Sequence, residues 1–407
     1  MSTSQTLGTP PTYGRINANN STAVNSKAIA DIEALAKTWN YREFERRAWA
    51  GQSVIWGGSS WEAPLIRACG TIPVPFGLLW QTDSIEAQNV AESYHQIPSE
   101  FCPMIKAMIG RLHLNKDSSI RRILYFGSTC EPISMVLEYA RHDNYEIHVI
   151  DAVTSFRLED RRGERVRFLV KELEKAAVWL TGKPVDQDRL RAELRFKNKV
   201  NKKLRAILDL RLKAPFHFTA GPTMRFLNGA NSYLGNPERY MQILDQAVAE
   251  LEVAAKTPDD RFYIPLVLAG GAAGSPRLVD AIEESRGAIL GFVVLSTTDF
   301  REDLPPLEAM AHYLFDAQLK GELGEGAGAS ATLRRIRVEE LIKKTGARGL
   351  ISTFVTACPY GSVVQQMERN YFRKIGIPTV GLEHSVHKEP PTEEQIMKIK
   401  TFIDMLS

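Results

Sequence analysis

The residues best suited to chemistry in this chain are its four cysteines, Cys69, Cys102, Cys130 and Cys358. The gaps between them, 33, 28 and 228 residues, match neither a CxxC zinc pair nor a small disulfide framework. Any shared role must therefore be assembled by folding. Two of them repeat one pattern, in which an apolar strand and a short polar turn lead to Cys, then to an acidic residue or proline, then to a helix: TCEPISMVLEY around Cys130 and ACPYGSVVQQM around Cys358. Cys102, in PSEFCPMIKAMIG, also precedes a proline and a helical run. A helix N-terminus favours the thiolate, the form that ligates a metal or acts as a nucleophile. Three thiolates gathered from three helix starts could hold a soft metal centre, an iron–sulfur cluster among them, with one iron left open for substrate. Three buried structural thiols would fit the same spacing, because free cysteine is among the most buried residue types.

Other candidates are weaker. Cys69, in PLIRACGTIP, lies mid-pattern beside Ala68 and reads as core packing. A cysteine hydrolase needs a partnered histidine, and His95, His113 and His384 are available, yet no nucleophile motif surrounds any of the cysteines. Ser128, Thr129, Glu131 and His384 flank the strand ends that carry Cys130 and Cys358, and are candidates for the surroundings of the centre. The turn after FYIPLVLAG resembles half of a dinucleotide fingerprint, with Gly271 and Gly274 correctly spaced but Ala269 in the first glycine position. The glycine-rich stretch 321–330 could be a lid or a plain surface loop.

The elements that must position these residues are legible as an alternation. Short β-rich runs at 53–58, 71–79, 121–130 and 145–151 are separated by helical patterns, and runs at 262–270, 288–297, 349–358 and 377–384 repeat this in the second half. Alternating strands and helices predict an α/β fold: two Rossmann-like or flavodoxin-like lobes with parallel sheets, plus helical N-terminal and connecting segments. We expect a disordered arm over 1–26, an N-terminal lobe with long helices over 27–213, and a C-terminal lobe over 214–407. Two long helices break at TGKP (181–184), and APFHFTAGP (214–222) reads as a hinge. Ligands of open parallel sheets bind outside the carboxyl ends of the strands, which is where Cys130 and Cys358 fall.

Composition narrows the function classes. The chain has 407 residues, 44% hydrophobic and 24% charged, the balance of a globular protein with a real core. Its net charge is only +3, so no basic footprint argues for nucleic acid or an anionic membrane. No run approaches the 18 apolar residues of a spanning helix, and the first twenty residues lack a signal pattern, so a cytoplasmic location is expected.

Taken in order, SSWEAPLIRACGTIPV, YHQIPSEFCPMIKAMIG, RRILYFGSTCEP, LTGKPVDQDRLRAEL and ARGLISTFVTACPYGSVVQQMERNYFRKIGIPTVGLEHS resemble the subunits of the 2-hydroxyacyl-CoA dehydratase and benzoyl-CoA reductase family, from about residue 40 to the end. The resemblance implies that Cys102, Cys130 and Cys358 ligate a [4Fe-4S] cluster between two α/β lobes. It further implies a heterodimer with a homologous second subunit, an ATP-dependent iron–sulfur activator protein, and an acyl-CoA thioester substrate. The chemistry would be radical: dehydration of a 2-hydroxyacyl-CoA, or reduction of an aromatic acyl-CoA such as benzoyl-CoA. An electron-relay or structural paralogue without its own active site is the alternative within the same family. The family's acidic residue before its Ala-Ala-Gly is here Glu62, displaced by two positions, and its usual Asp after the second cluster cysteine is Glu131; both are candidate acid/base residues with Ser128 and His384. Asp299 and Arg301 are the nearest polar residues after the strand FVVLSTTDFR. Arg121, Arg122 and Arg277 could meet CoA phosphates or could be plain surface charges.

Overall fold

The computed structural model describes residues 26–407, apart from 59–60, 82–83, 128–129, 131, 152–160, 258–260, 271–275, 294–295, 321, 323–330 and 385–389. The expected arm over 1–26 thus lies almost wholly outside the described residues. Helices α1 (Lys27–Thr38) and α2 (Tyr41–Trp49) precede β1 (Val54–Trp56). There follow α3 (Ala63–Ala68), β2 (Ile72–Val74), α4 (Leu78–Gln81), α5 (Ser84–Ser93), α6 (Pro103–Leu114), β3 (Arg122–Phe126), α7 (Pro132–His142) and β4 (Glu146–Ile150). The long α8 (Arg162–Thr181) and α9 (Gln187–Arg211) lead into α10 (Ala220–Gly229) and α11 (Pro237–Ala254). The second half runs β5 (Ile264–Gly270), α12 (Pro276–Glu284), β6 (Gly287–Val293), α13 (Pro306–Leu319), α14 (Ala331–Thr345), β7 (Gly349–Val355), α15 (Pro359–Lys374), β8 (Thr379–His384) and α16 (Glu393–Leu406).

The strands form two four-stranded sheets, every pairing parallel, ordered β2-β1-β3-β4 and β6-β5-β7-β8. The two lobes therefore share one strand order. All of β5 and β6 and most of β7 are buried, as expected of parallel strands covered by helices on both faces and written as unbroken apolar runs. Helix boundaries follow local chemistry. Gly182, at φ 75°, ends α8 with its N–H on the Val178 carbonyl, and Asp186 starts α9 by accepting from the Asp188 and Arg189 N–H groups. Thr392 and Gln395 close a capping box at the start of α16.

The cores cross the sequence halves. Ile55, Leu124 and Phe126 of the first sheet pack with Leu169 and Leu173 of α8, and also with Met310, Leu314 and Phe315 of α13, which comes from the second half. Conversely, Ala28 and Ile32 of α1 pack with Ile243 and Leu244 of α11 and with Leu266 and Ile289 of the second sheet. Each fully buried aliphatic or aromatic side chain contributes about 1.5–3 kcal/mol, so these exchanged helices tie the lobes together strongly. The segment 214–222, a hinge by its sequence, is itself core: Phe218 is fully buried, its carbonyl accepts from the buried Arg211, and α10 already begins at Ala220.

Candidate functional site

In each sheet the third strand in sequence, β3 or β7, lies beside the first, and the loop leaving it carries a cysteine. This is the point where strand order reverses, and the crevice outside the carboxyl ends there is the usual ligand site of such sheets. Cys130 follows β3 and precedes α7; Cys358 follows β7 and is the N-cap of α15; Cys102 is the N-cap of α6, in the crossover between β2 and β3. The helices begin at Pro132, Pro359 and Pro103. Proline presets the first helical φ and lacks only an N–H that would have no intrahelical partner. At Cys358 the first turn points back to sulfur: the Gly361 N–H reaches Sγ at 3.3 Å. At the other two helix starts the Lys106 and Ile133 N–H groups donate to the Cys102 and Cys130 carbonyls at 3.0 Å, and nearby backbone N–H groups pull both thiol pKa values down.

Two backbone features aim Cys358. Ala357 before it sits at φ 60°, a left-handed conformation that costs a non-glycine residue about 1–2 kcal/mol. A Cβ at Gly361 would meet Phe354 Cβ at 2.8 Å, so only glycine lets the first turn of α15 close over both Phe354 and the sulfur. The sequence signal for Gly361 and the other donors is the proline after each cysteine, which fixes where the first free N–H groups fall.

The three thiols are half-buried and lie within electrostatic reach of one another. Burial, and after it negative charge at Cys102 and Cys358, pushes the Cys130 thiol up to about 11. Cys102 is raised by burial and by charge at Cys358, against the pull of its backbone donors. A catalytic cysteine nucleophile needs the opposite, a depressed pKa. Mutually repelling thiolates are what a bound cation centre stabilises, by taking the place of their protons. The donor set, three sulfurs from three helix starts, fits a soft iron–sulfur group. Among the described residues, the only three potential ligands whose donor atoms all lie within 4.8 Å of one another are elsewhere, at His95, His113 and Asp143.

The remaining candidates divide. His384 ends β8 opposite Val355, its carbonyl accepts from the Thr356 N–H at 2.9 Å, and burial pulls its imidazole down to about 4, so the ring is neutral. It lines a cavity of about 550 Å³ with Thr356, Gln365, Arg369 and Lys398. Glu62 is buried at the start of α3, where its charge reaches Tyr313 of α13. Ser128, Thr129 and Glu131 lie outside the described residues, as do Gly271, Gly274 and nearly all of 321–330. His95 and His113 stand at the far end of α6 from Cys102, about 16 Å along a helix that rises 1.5 Å per residue. Asp299 pairs with Arg205 of α9 at 2.7 Å and Arg301 with Asp303 at 2.6 Å, both at the surface. Arg121 and Arg122 sit at the amino end of β3, away from the cysteine edge: Arg121 bonds the Asp143 carbonyl and Arg122 lies 4.1 Å over the Trp179 ring. Arg277 is exposed. Cys69 packs against the first-sheet core, and burial pushes its thiol up to about 11.

A family model described as 2-hydroxyglutaryl-CoA dehydratase, D-component, matches residues 62–406, a span that holds all four cysteines and the whole second sheet. A comparison with curated proteins found no match.

Proposed function

Because the chain belongs to the 2-hydroxyglutaryl-CoA dehydratase D-component family, and so is one component of a 2-hydroxyacyl-CoA dehydratase-type enzyme system, we propose that Cys102, Cys130 and Cys358 hold a [4Fe-4S] cluster at the junction of the two lobes. The single observation that carries this reading is the convergence of three proline-led helix starts, each presenting a half-buried thiol within electrostatic reach of another. When bound, the cluster would relay a low-potential electron from the activator and offer an open iron as a Lewis acid. The chain's own contributions are positional. Backbone N–H groups of Met104, Ile105, Ile133 and Gly361 spread the negative charge on the sulfurs, and the helix dipoles add to this. Partial burial of the thiols limits the water around them. The neutral His384 ring can accept or pass a proton at either nitrogen, and Glu62 and Glu131 offer carboxylates for the same purpose.

The substrate we assign is an acyl-CoA thioester, either a 2-hydroxyacyl-CoA that loses water or an aromatic acyl-CoA that is reduced. The partners are a homologous second subunit and an ATP-dependent iron–sulfur activator, in the cytoplasm. We also propose a division by sheet into 27–213 and 214–407. The test is iron and acid-labile sulfide per chain on anaerobically purified protein, wild type against Cys102→Ser, Cys130→Ser and Cys358→Ser. About four irons per chain, lost in all three variants, is the expected result. Absence of iron, or loss only in Cys69→Ser, would overturn the ligand set. Activity with the partner subunit that survives Cys130→Ser would instead make this chain a relay or structural paralogue.

A further inference from the structure

We propose that His95, His113 and Asp143 form a second metal site, for a zinc-class divalent ion, that fastens together the far ends of α6 and α7. One ring nitrogen of each histidine and one carboxylate oxygen of Asp143 lie within 4.8 Å of one another. His113 belongs to the last turn of α6, Asp143 directly follows α7, and His95 follows α5, so three elements contribute one ligand each. His113 and Asp143 are each 8% exposed, and His113 Nδ1 stands 3.0 Å from Asp143 Oδ2. His95 Nε2 is sealed from solvent without a hydrogen-bond partner. A buried nitrogen left unmatched destabilises a fold, and a metal is the partner this ring lacks. Two imidazoles and a carboxylate are the ligand types of zinc and of the borderline ions near it, with a fourth position left for water or a further side chain. His142 Nδ1 approaches the other Asp143 oxygen at 3.5 Å.

The surroundings favour a cation. The C-terminal ends of α6 and α7 both point here, and helix C-termini carry partial negative charge. The His95 and His113 rings meet edge to face at 4.9 Å, with Tyr94 4.0 Å from His113 and Tyr139 4.7 Å from His95, which limits how the rings can turn. Because Cys102 and Cys130 sit at the opposite ends of the same two helices, an ion here would set the relative position of those thiols from a distance, without touching them.

The test is titration of the full metal-free chain with Co²⁺, read by its visible absorption, followed by displacement with Zn²⁺. In Cys130→Ser, whose three-thiol set is broken, we expect one equivalent with ligand-field bands and no sulfur-to-cobalt charge-transfer band, lost when His95→Ala or Asp143→Asn is added. Zn²⁺ should raise the melting temperature of wild type and of Cys130→Ser but not of Cys130→Ser with His95→Ala. His95→Ala also removes the ring contacts with Tyr94, His113 and Tyr139, so the readout is the Zn²⁺-induced shift within each protein, measured against that protein's own metal-free melting temperature, which separates lost ligation from lost packing. Uptake unchanged when His95→Ala is added, uptake only through a thiolate band that disappears in Cys130→Ser, or no uptake at all would each overturn the site. None of these outcomes bears on iron bound by the three cysteines.

Discussion

At the scale of single residues, buried charges decide what the folded chain tolerates. Glu368 of α15 is fully buried, where it accepts from Arg334 of α14 and, at 2.9 Å, from the Ser352 hydroxyl of β7. Replacing one partner of such a pair leaves the other charge uncompensated, so Glu368→Gln should cost roughly 3–5 kcal/mol in urea unfolding. The double replacement Arg334→Met with Glu368→Leu should recover most of that loss; equal destabilisation in both would rule out the uncompensated charge as the cause. Lys197 of α9 is a different case: it donates to the Ala230 carbonyl at 2.8 Å, and burial pulls its pKa down to about 7. Below pH 7 the folded and unfolded chains are both protonated there, and the folded state bears the full burial penalty. Between pH 7 and about 10.4 only the unfolded chain holds the proton, so folded stability rises with pH by at most about 1.4 kcal/mol per unit. The urea midpoint of wild type should therefore climb relative to Lys197→Met between pH 7 and 9.5, and a constant difference would contradict this.

At the scale of elements, α5 and α6 cross in close backbone contact. A Cβ added at Gly110 would fall 1.7 Å from the Ala87 carbonyl oxygen, and a backbone atom cannot step aside as a side-chain end can. Gly110→Ala should cost at least the upper end of the roughly 1–3 kcal/mol seen for overpacking, measured as a lowered melting temperature. An unchanged melting temperature would mean the two helices are not in contact there. The strands are largely legible in the sequence because parallel strands buried on both faces are written as continuous apolar runs, as in IPLVLAG and GLISTFV. The run 71–79 reads as one strand, but Pro75 and Gly77 stop it: β2 ends at Val74 and α4 starts at Leu78. The cysteines at helix starts are legible too, since Cys-Pro and Cys-Glu-Pro carry their own local signal. The His95, His113 and Asp143 cluster has none. Its members come from three different elements, and only the packing of α5, α6 and α7 brings them together.

At the scale of the whole molecule, the exchange of α1 and α13 between the two cores is what the alternation of strands and helices could not reveal, because helix patterns do not say which sheet a helix covers. It predicts that a fragment comprising residues 27–213 will not fold as a native lobe. That fragment lacks Met310, Leu314 and Phe315, which cover the first-sheet core, and it should bind a hydrophobic dye and show poorly dispersed amide signals. A well-dispersed spectrum from that fragment would count against the exchange. Ile32→Ala, at the amino end of the chain, should by the same logic weaken the second lobe's core by about 2–5 kcal/mol, visible as faster amide exchange in β5 and β6. The placement of the three thiols also has a consequence for biosynthesis. Cys102 and Cys130 emerge from the ribosome early, but Cys358 follows 228 residues after Cys130. At about 5–20 residues per second, Cys130 waits roughly 11–46 s for Cys358, and Cys102 somewhat longer. During that interval they are exposed to oxidants and stray metals, so on the proposed ligand set, drawn from both lobes, loading would be a step that follows translation and depends on the last strands being in place.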